Sequence, residues 1–180
     1  MSRVGRVIVG VSETSRSLPA LRQALALART NAALLIAVHA WTPPGGDIAE
    51  RRAPCAELRR VWKREAGARL ADALDLAWGG RAPDGVTVRT LVQRGEARRV
   101  LVQTAWSPDD LLVIGTGRPG WLGRALGGWV RRYCVAHAAC PVLTVPPPAL
   151  PKGGGHGVAC WHRHLTMADA LREWGHHPAT

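Results

Sequence analysis

The chain has 180 residues, of which 47% are hydrophobic, and carries 24 Lys and Arg against 13 Asp and Glu, a formal net charge of +11. That length suits one domain with a short appendage, and no apolar run approaches the roughly 20 residues that a membrane-spanning helix needs. The 4 cysteines (Cys55, Cys134, Cys140, Cys160) sit far apart with no C-x-x-C pair, and free thiols are the state expected of them in a cytoplasmic chain of this size.

Val4–Val11 is a β-branched apolar run closed by the turn formers Ser12 to Ser15, and reads as a buried strand. It is too short for the apolar core of a signal peptide and Glu13 follows at once, so a cytoplasmic protein is expected. Ser17 as cap and Pro19 in the first turn open a helix in which Leu18, Leu21, Leu25 and Ala28 recur at helical spacing. Ala33–Trp41 is a second strand, and Pro43 to Gly46 open a loop. A long helix over Cys55–Trp78 follows, with Leu58, Val61, Trp62, Ala66, Leu70, Ala73 and Leu74 on one face and Arg59, Arg60, Lys63 and Arg64 on a solvated side. Val86–Val92 is a third strand, Glu96–Ala105 a helix and Leu111–Ile114 a fourth strand. Beyond the glycine-rich stretch IGTGRPGWLGRALGGWV, the residues Trp129, Val130, Tyr133, Cys134 and His137 mark a helix before a fifth strand, Val142–Val145. Strands joined by helical crossovers predict an α/β domain, a parallel sheet covered by helices on both faces. Its ligands would bind beyond the strands' carboxyl ends, at Ser12 and the loop from Gly115.

The positive charge is nearly all arginine, since only Lys63 and Lys152 are lysines. Doublets such as Arg59-Arg60 and Arg131-Arg132 are scattered and lack interleaved aromatics, so they read as solvated faces. A basic module for nucleic acid or an acidic partner is the competing reading. Cys134 and Cys140 read as structural thiols.

The ordered segments RVIVGVSETS, LLIAVHAWTPP, VQRGEARRVLVQTA, DDLLVIGTGRPG and VRRYCVAHAACPVLTVP resemble the universal stress protein family over roughly Arg3–Pro147. The resemblance implies a five-stranded doubly wound sheet of order 3-2-1-4-5 and frequent dimerisation, with some members binding ATP and others not. ATP-binding members carry G-x-x-G, nine residues, then G-S or G-T, and an aspartate ending the first strand. Glycines there let backbone N–H groups approach phosphate, and the hydroxyl donates from a helix N-terminus. Here Gly115 and Gly128 keep the outer positions, while Arg118, Trp129 and Ser12 replace the second glycine, the hydroxyl and the aspartate. No shift of register restores the hydroxyl.

Gly115, Thr116, Arg118, Gly128, Val130 and Ser12 therefore form a vestigial or altered nucleotide site. The reading preferred is that Trp129 joins the helix's buried stripe and fills the phosphate pocket; the alternative is an adenine nucleotide held in changed geometry, with Arg118 and Arg124 supplying charge. His39 reads as a strand-end histidine accepting a hydrogen bond, and His137 as a cation at a helix C-terminus. With no nucleophile, base or metal motif in sight, no catalysis, metal or cofactor is expected. The expected domain spans 1–147. The tail 148–180, with Cys160, His162, His164, His176 and His177, reads as a partly disordered segment with a short helix near Thr166 and only adventitious metal affinity. The edge strand Val142, Leu143, Thr144 and Val145 predicts a homodimer, as the resemblance implies. The function expected is a non-catalytic, stress-associated regulatory or interaction module with an unidentified protein partner, no membrane and no nucleic acid.

Overall fold

The computed structural model describes residues 4–12, 17–80, 83–116 and 121–146. The chain divides into two units, Met1–Pro148 and Ala149–Thr180, and all described residues belong to the first. The expectations for the tail, and for Arg118 and its neighbours, lie outside the described residues.

Among the described residues ten elements follow one another: β1 (Arg6–Gly10), α1 (Leu18–Asn31), β2 (Leu34–Trp41), α2 (Gly46–Arg52), α3 (Ala56–Trp78), β3 (Val88–Arg94), α4 (Ala97–Thr104), β4 (Asp110–Gly115), α5 (Trp121–His137) and β5 (Val142–Val145). The strands make one parallel sheet in the expected order, β3-β2-β1-β4-β5. Strand alternation splits the core in two. Val7, Val9, Leu35, Ala37 and Val113 pack with Ala20, Leu21 and Ala24 of α1 and Leu70 and Leu74 of α3. Ile8, Val38, Leu112 and Ile114 face Val100 and Leu101 of α4 and Cys134 of α5. No helix among the described residues is long and apolar enough to cross a membrane.

Several local expectations are corrected. Ser17 is in the helical region (φ −79, ψ −12) and makes no side-chain cap. Its hydroxyl donates instead to the Ser12 carbonyl at 3.4 Å. The long helix buries Ala66, Leu70, Ala73 and Leu74, but Leu58 is 48% exposed, because its first turns run past the core. β3 is displaced two residues later than Val86–Val92. The loop opened by Pro43 also contains α2, which apolar periodicity could not announce: Ile48 is 62% exposed. What fastens α2 is Glu50, buried and paired with Arg59 of α3 (Nε to Oε1, 2.6 Å) and with Arg94 ending β3.

Candidate functional site

β1 and β4 are the central pair, in register from Arg6↔Asp110 to Val9↔Val113. Crossovers leave this pair in opposite directions, which opens a crevice beyond its carboxyl ends. Continuing the register brings Ser12 level with Thr116, so the fold does gather these two sequence-distant positions with Gly115.

Their surroundings are well tied. The Val11 N–H donates to the Val38 carbonyl at 2.8 Å, and the buried His39 ring holds the Val11 carbonyl through Nδ1 at 2.9 Å. Since a carbonyl only accepts, Nδ1 carries the proton and donates, contrary to the expectation of an accepting histidine. His39 Nε2 is buried with no hydrogen-bond partner among the described residues. On the other side, the Thr116 N–H donates to the Val145 carbonyl at 2.9 Å and extends the β4–β5 ladder. That donor is spent on the sheet.

The far end of the motif is elsewhere. α5 begins at Trp121, well before the expected start near Trp129. At about 1.5 Å per residue, Gly128 stands roughly 10 Å down the axis from Trp121. Only the N–H groups of a helix's first turn lack internal acceptors, so those of Gly128 and Trp129 are inside the helical ladder. Val130 is half-buried against the core formed by Cys134 and Cys140. The structure thus joins Ser12, Gly115 and Thr116, and sets Gly128 and Val130 apart from them.

Trp129 is also corrected. It is 62% exposed and does not belong to the buried stripe, which runs through Val130, Cys134 and Ala138. The Arg98 guanidinium lies over its ring at 4.9 Å from the centroid and over Tyr133 at 5.3 Å. Tyr133 in turn stacks on His137, with centroids 4.1 Å apart and planes 11° from parallel. An arginine is therefore interleaved with aromatics after all. The spacing Trp129, Tyr133, His137 at successive helical turns was legible; their partner from α4 was not.

Burial pushes the Cys134 thiol up to about 11, with the neighbouring Cys140 adding to it. Burial raises Cys140 as well. Both thiols face the core as expected. No cluster of His, Cys, Asp or Glu among the described residues could hold a metal ion.

A parallel sheet with this order and a crevice at the β1–β4 ends defines a doubly wound nucleotide-binding-like α/β protein. The chain belongs to the universal stress protein family, whose description it matches over residues 3–146. Among solved structures it is similar to a universal stress protein in complex with cAMP, at 26% identity and TM-score 0.51, covering 82% of this chain and 100% of that one. It is also similar in fold to the universal stress protein UspA from Lactobacillus plantarum (20% identity, TM-score 0.58, 81% and 99% covered). A third is the universal stress protein from Archaeoglobus fulgidus in complex with dAMP (19% identity, TM-score 0.51, 80% and 98% covered). Comparison with curated proteins gave no match.

Proposed function

We propose that this protein is a non-catalytic, stress-associated regulatory or interaction module that does not hold ATP in the manner the family's loop pattern implies. The observation that carries this reading is the start of α5 at Trp121. A triphosphate needs free N–H groups and a hydroxyl at a helix N-terminus. Here the glycine that closes the motif lies inside the helix, the next residue is Trp129, and the Thr116 N–H already serves β5. Among the described residues, Gly128 and Trp129 do not fit the triphosphate in the family's manner, and no chemical step is assigned to it. Calorimetry with ATP and magnesium at millimolar concentration is expected to give no binding heat; saturable binding there would overturn the reading.

Dimerisation is part of the proposal. β5 has β4 as its neighbour in the sheet and lies at the edge. The Pro141 and Val145 carbonyls accept from Leu112 and Thr116, so by alternation Val142 and Thr144 turn their N–H and C=O outward. Thr144→Pro removes an outward donor without breaking an inward bond. Light scattering should give a dimer for the natural chain and a monomer for the variant, and a monomeric natural chain would sink this part.

A second reading, an adenine nucleotide bound in changed geometry, draws on the relative in complex with cAMP at 26% identity. A single phosphate asks for fewer donors than three, and the buried His39 fixes the Val11 carbonyl next to Ser12 at the mouth of the crevice. Titration with cAMP and AMP tests it, His39→Leu being expected to weaken any binding seen.

A further inference from the structure

The sheet's other edge is built differently. β3 pairs with β2, and its residues Arg89, Thr90, Gln93 and Arg94 are exposed. The Thr87 carbonyl accepts from Leu35 at 3.0 Å, and the Gly95 N–H donates to Trp41 at 2.9 Å. These odd-numbered positions face β2. By alternation Val88, Thr90 and Val92 turn their N–H and C=O away from it, along the open edge.

Beside that edge runs a groove against α3. One part, of about 610 Å3, is lined by Arg59, Arg60, Lys63 and Arg94 over an apolar floor of Trp41 and Val92. It continues into a second part of about 720 Å3, which shares Arg60, Lys63 and Val92 and adds Arg64 and the acidic Glu57. Glu50 ties Arg59 and Arg94, which fixes two guanidinium groups on the rim. Arg60, Lys63 and Arg64 are exposed on α3 and make no ion pair among the described residues. Cations three to four residues apart on one helix repel one another, a cost that a bound anion removes. Trp41, the aromatic on the floor, is buried and offers no stacking platform for bases.

We propose that the groove between α3 and the outer edge of β3 binds an extended acidic peptide segment, which pairs with β3 as an added strand and sets its carboxylates against Arg60, Lys63 and Arg64. The main-chain ladder supplies affinity and the alternate side chains supply selectivity. The residues between the acidic ones point to the opposite face of the sheet, because successive side chains of a strand alternate, so the groove beside Val92 takes every second side chain. A net charge of +11 makes the chain's own surface a poor source of such a segment and an acidic partner the fitting one. This inference rests on the interaction-module reading and gives it a partner.

The test is fluorescence anisotropy of the full-length protein with a labelled peptide of alternating Glu and Val. Saturable binding is expected, weakened about tenfold or more when Arg60→Glu and Lys63→Glu are combined. Both residues are exposed, and circular dichroism checks that the variant keeps its fold. A peptide N-methylated at alternate residues cannot form the ladder and is expected not to bind, a readout that needs no protein variant. Failure of the Glu-Val peptide to bind overturns the proposal. So does equal binding of the N-methylated peptide, or of a single-stranded oligonucleotide that competes at the same site, since either leaves only a polyanion surface. ATP binding in the separate calorimetry would remove the functional reading above while leaving these outcomes untouched.

Discussion

Asp110 holds the amino-terminal ends of the two central strands together, and its removal should be felt by the whole domain. Its side chain is 1% exposed and accepts from Arg6 Nε at 2.7 Å and from the second guanidinium nitrogen at 2.6 Å, while Arg6 is 28% exposed. The Ser107 N–H adds a third bond at 3.0 Å, and the Arg6 guanidinium also lies over Trp106, 5.2 Å from its centroid. The bond to Asp110 raises the Arg6 pKa above its usual value. Removing one partner of a buried pair costs about 3–5 kcal/mol. Because Arg6 can reach water, Asp110→Ala should fall at the lower end, about 3 kcal/mol, or a melting temperature lower by roughly 10 °C. Urea unfolding should show a reduced midpoint at unchanged slope. Arg6→Met combined with Asp110→Leu should cost less than Asp110→Ala, since no charge is left without a partner. A loss below about 1 kcal/mol for Asp110→Ala would refute the reasoning and place the pair with ordinary surface ion pairs.

Gly128→Ala should stabilise the domain by about 0.5–1 kcal/mol, because the new methyl meets no atom within 4 Å and the position is inside α5; chemical unfolding that showed a loss would contradict this. Ala32 closes α1 with φ at +50, so Ala32→Gly should relieve strain and add up to about 1 kcal/mol, read as a rise in melting temperature. The folded-state pKa of Cys134, raised from 9.0 to about 11, predicts alkaline sensitivity. The unfolded chain gives up this proton first, so the stabilisation is complete below about pH 9 and is lost as the pH rises towards 11. Cys134→Ala should flatten the fall of stability measured by urea unfolding across that range.

The order of strands and helices was legible because each buried strand is a compact β-branched run such as Val7–Val9, and each crossover carries its own apolar stripe. The ends of the candidate site were legible too: Ser12, Gly115 and Thr116 follow strands, and parallel topology must bring strand ends together. The helix start at Trp121 was hidden by glycines, which mark a loop in isolation but can be carried by a helix. α2 was hidden for the opposite reason, since Glu50 acts through Arg59 and Arg94, partners in other elements that no local period can reveal. Side-chain direction on α5 was likewise beyond the sequence. Helical spacing allowed Trp129 either to fill a pocket or to face outward, and Arg98, brought across from α4, supplies the partner on the outer side. The sequence by itself determined the family, the sheet and the glycines that suggest phosphate. Tertiary structure alone decided which N–H groups are already used, because hydrogen-bond partners in a doubly wound sheet come from residues far apart in the chain.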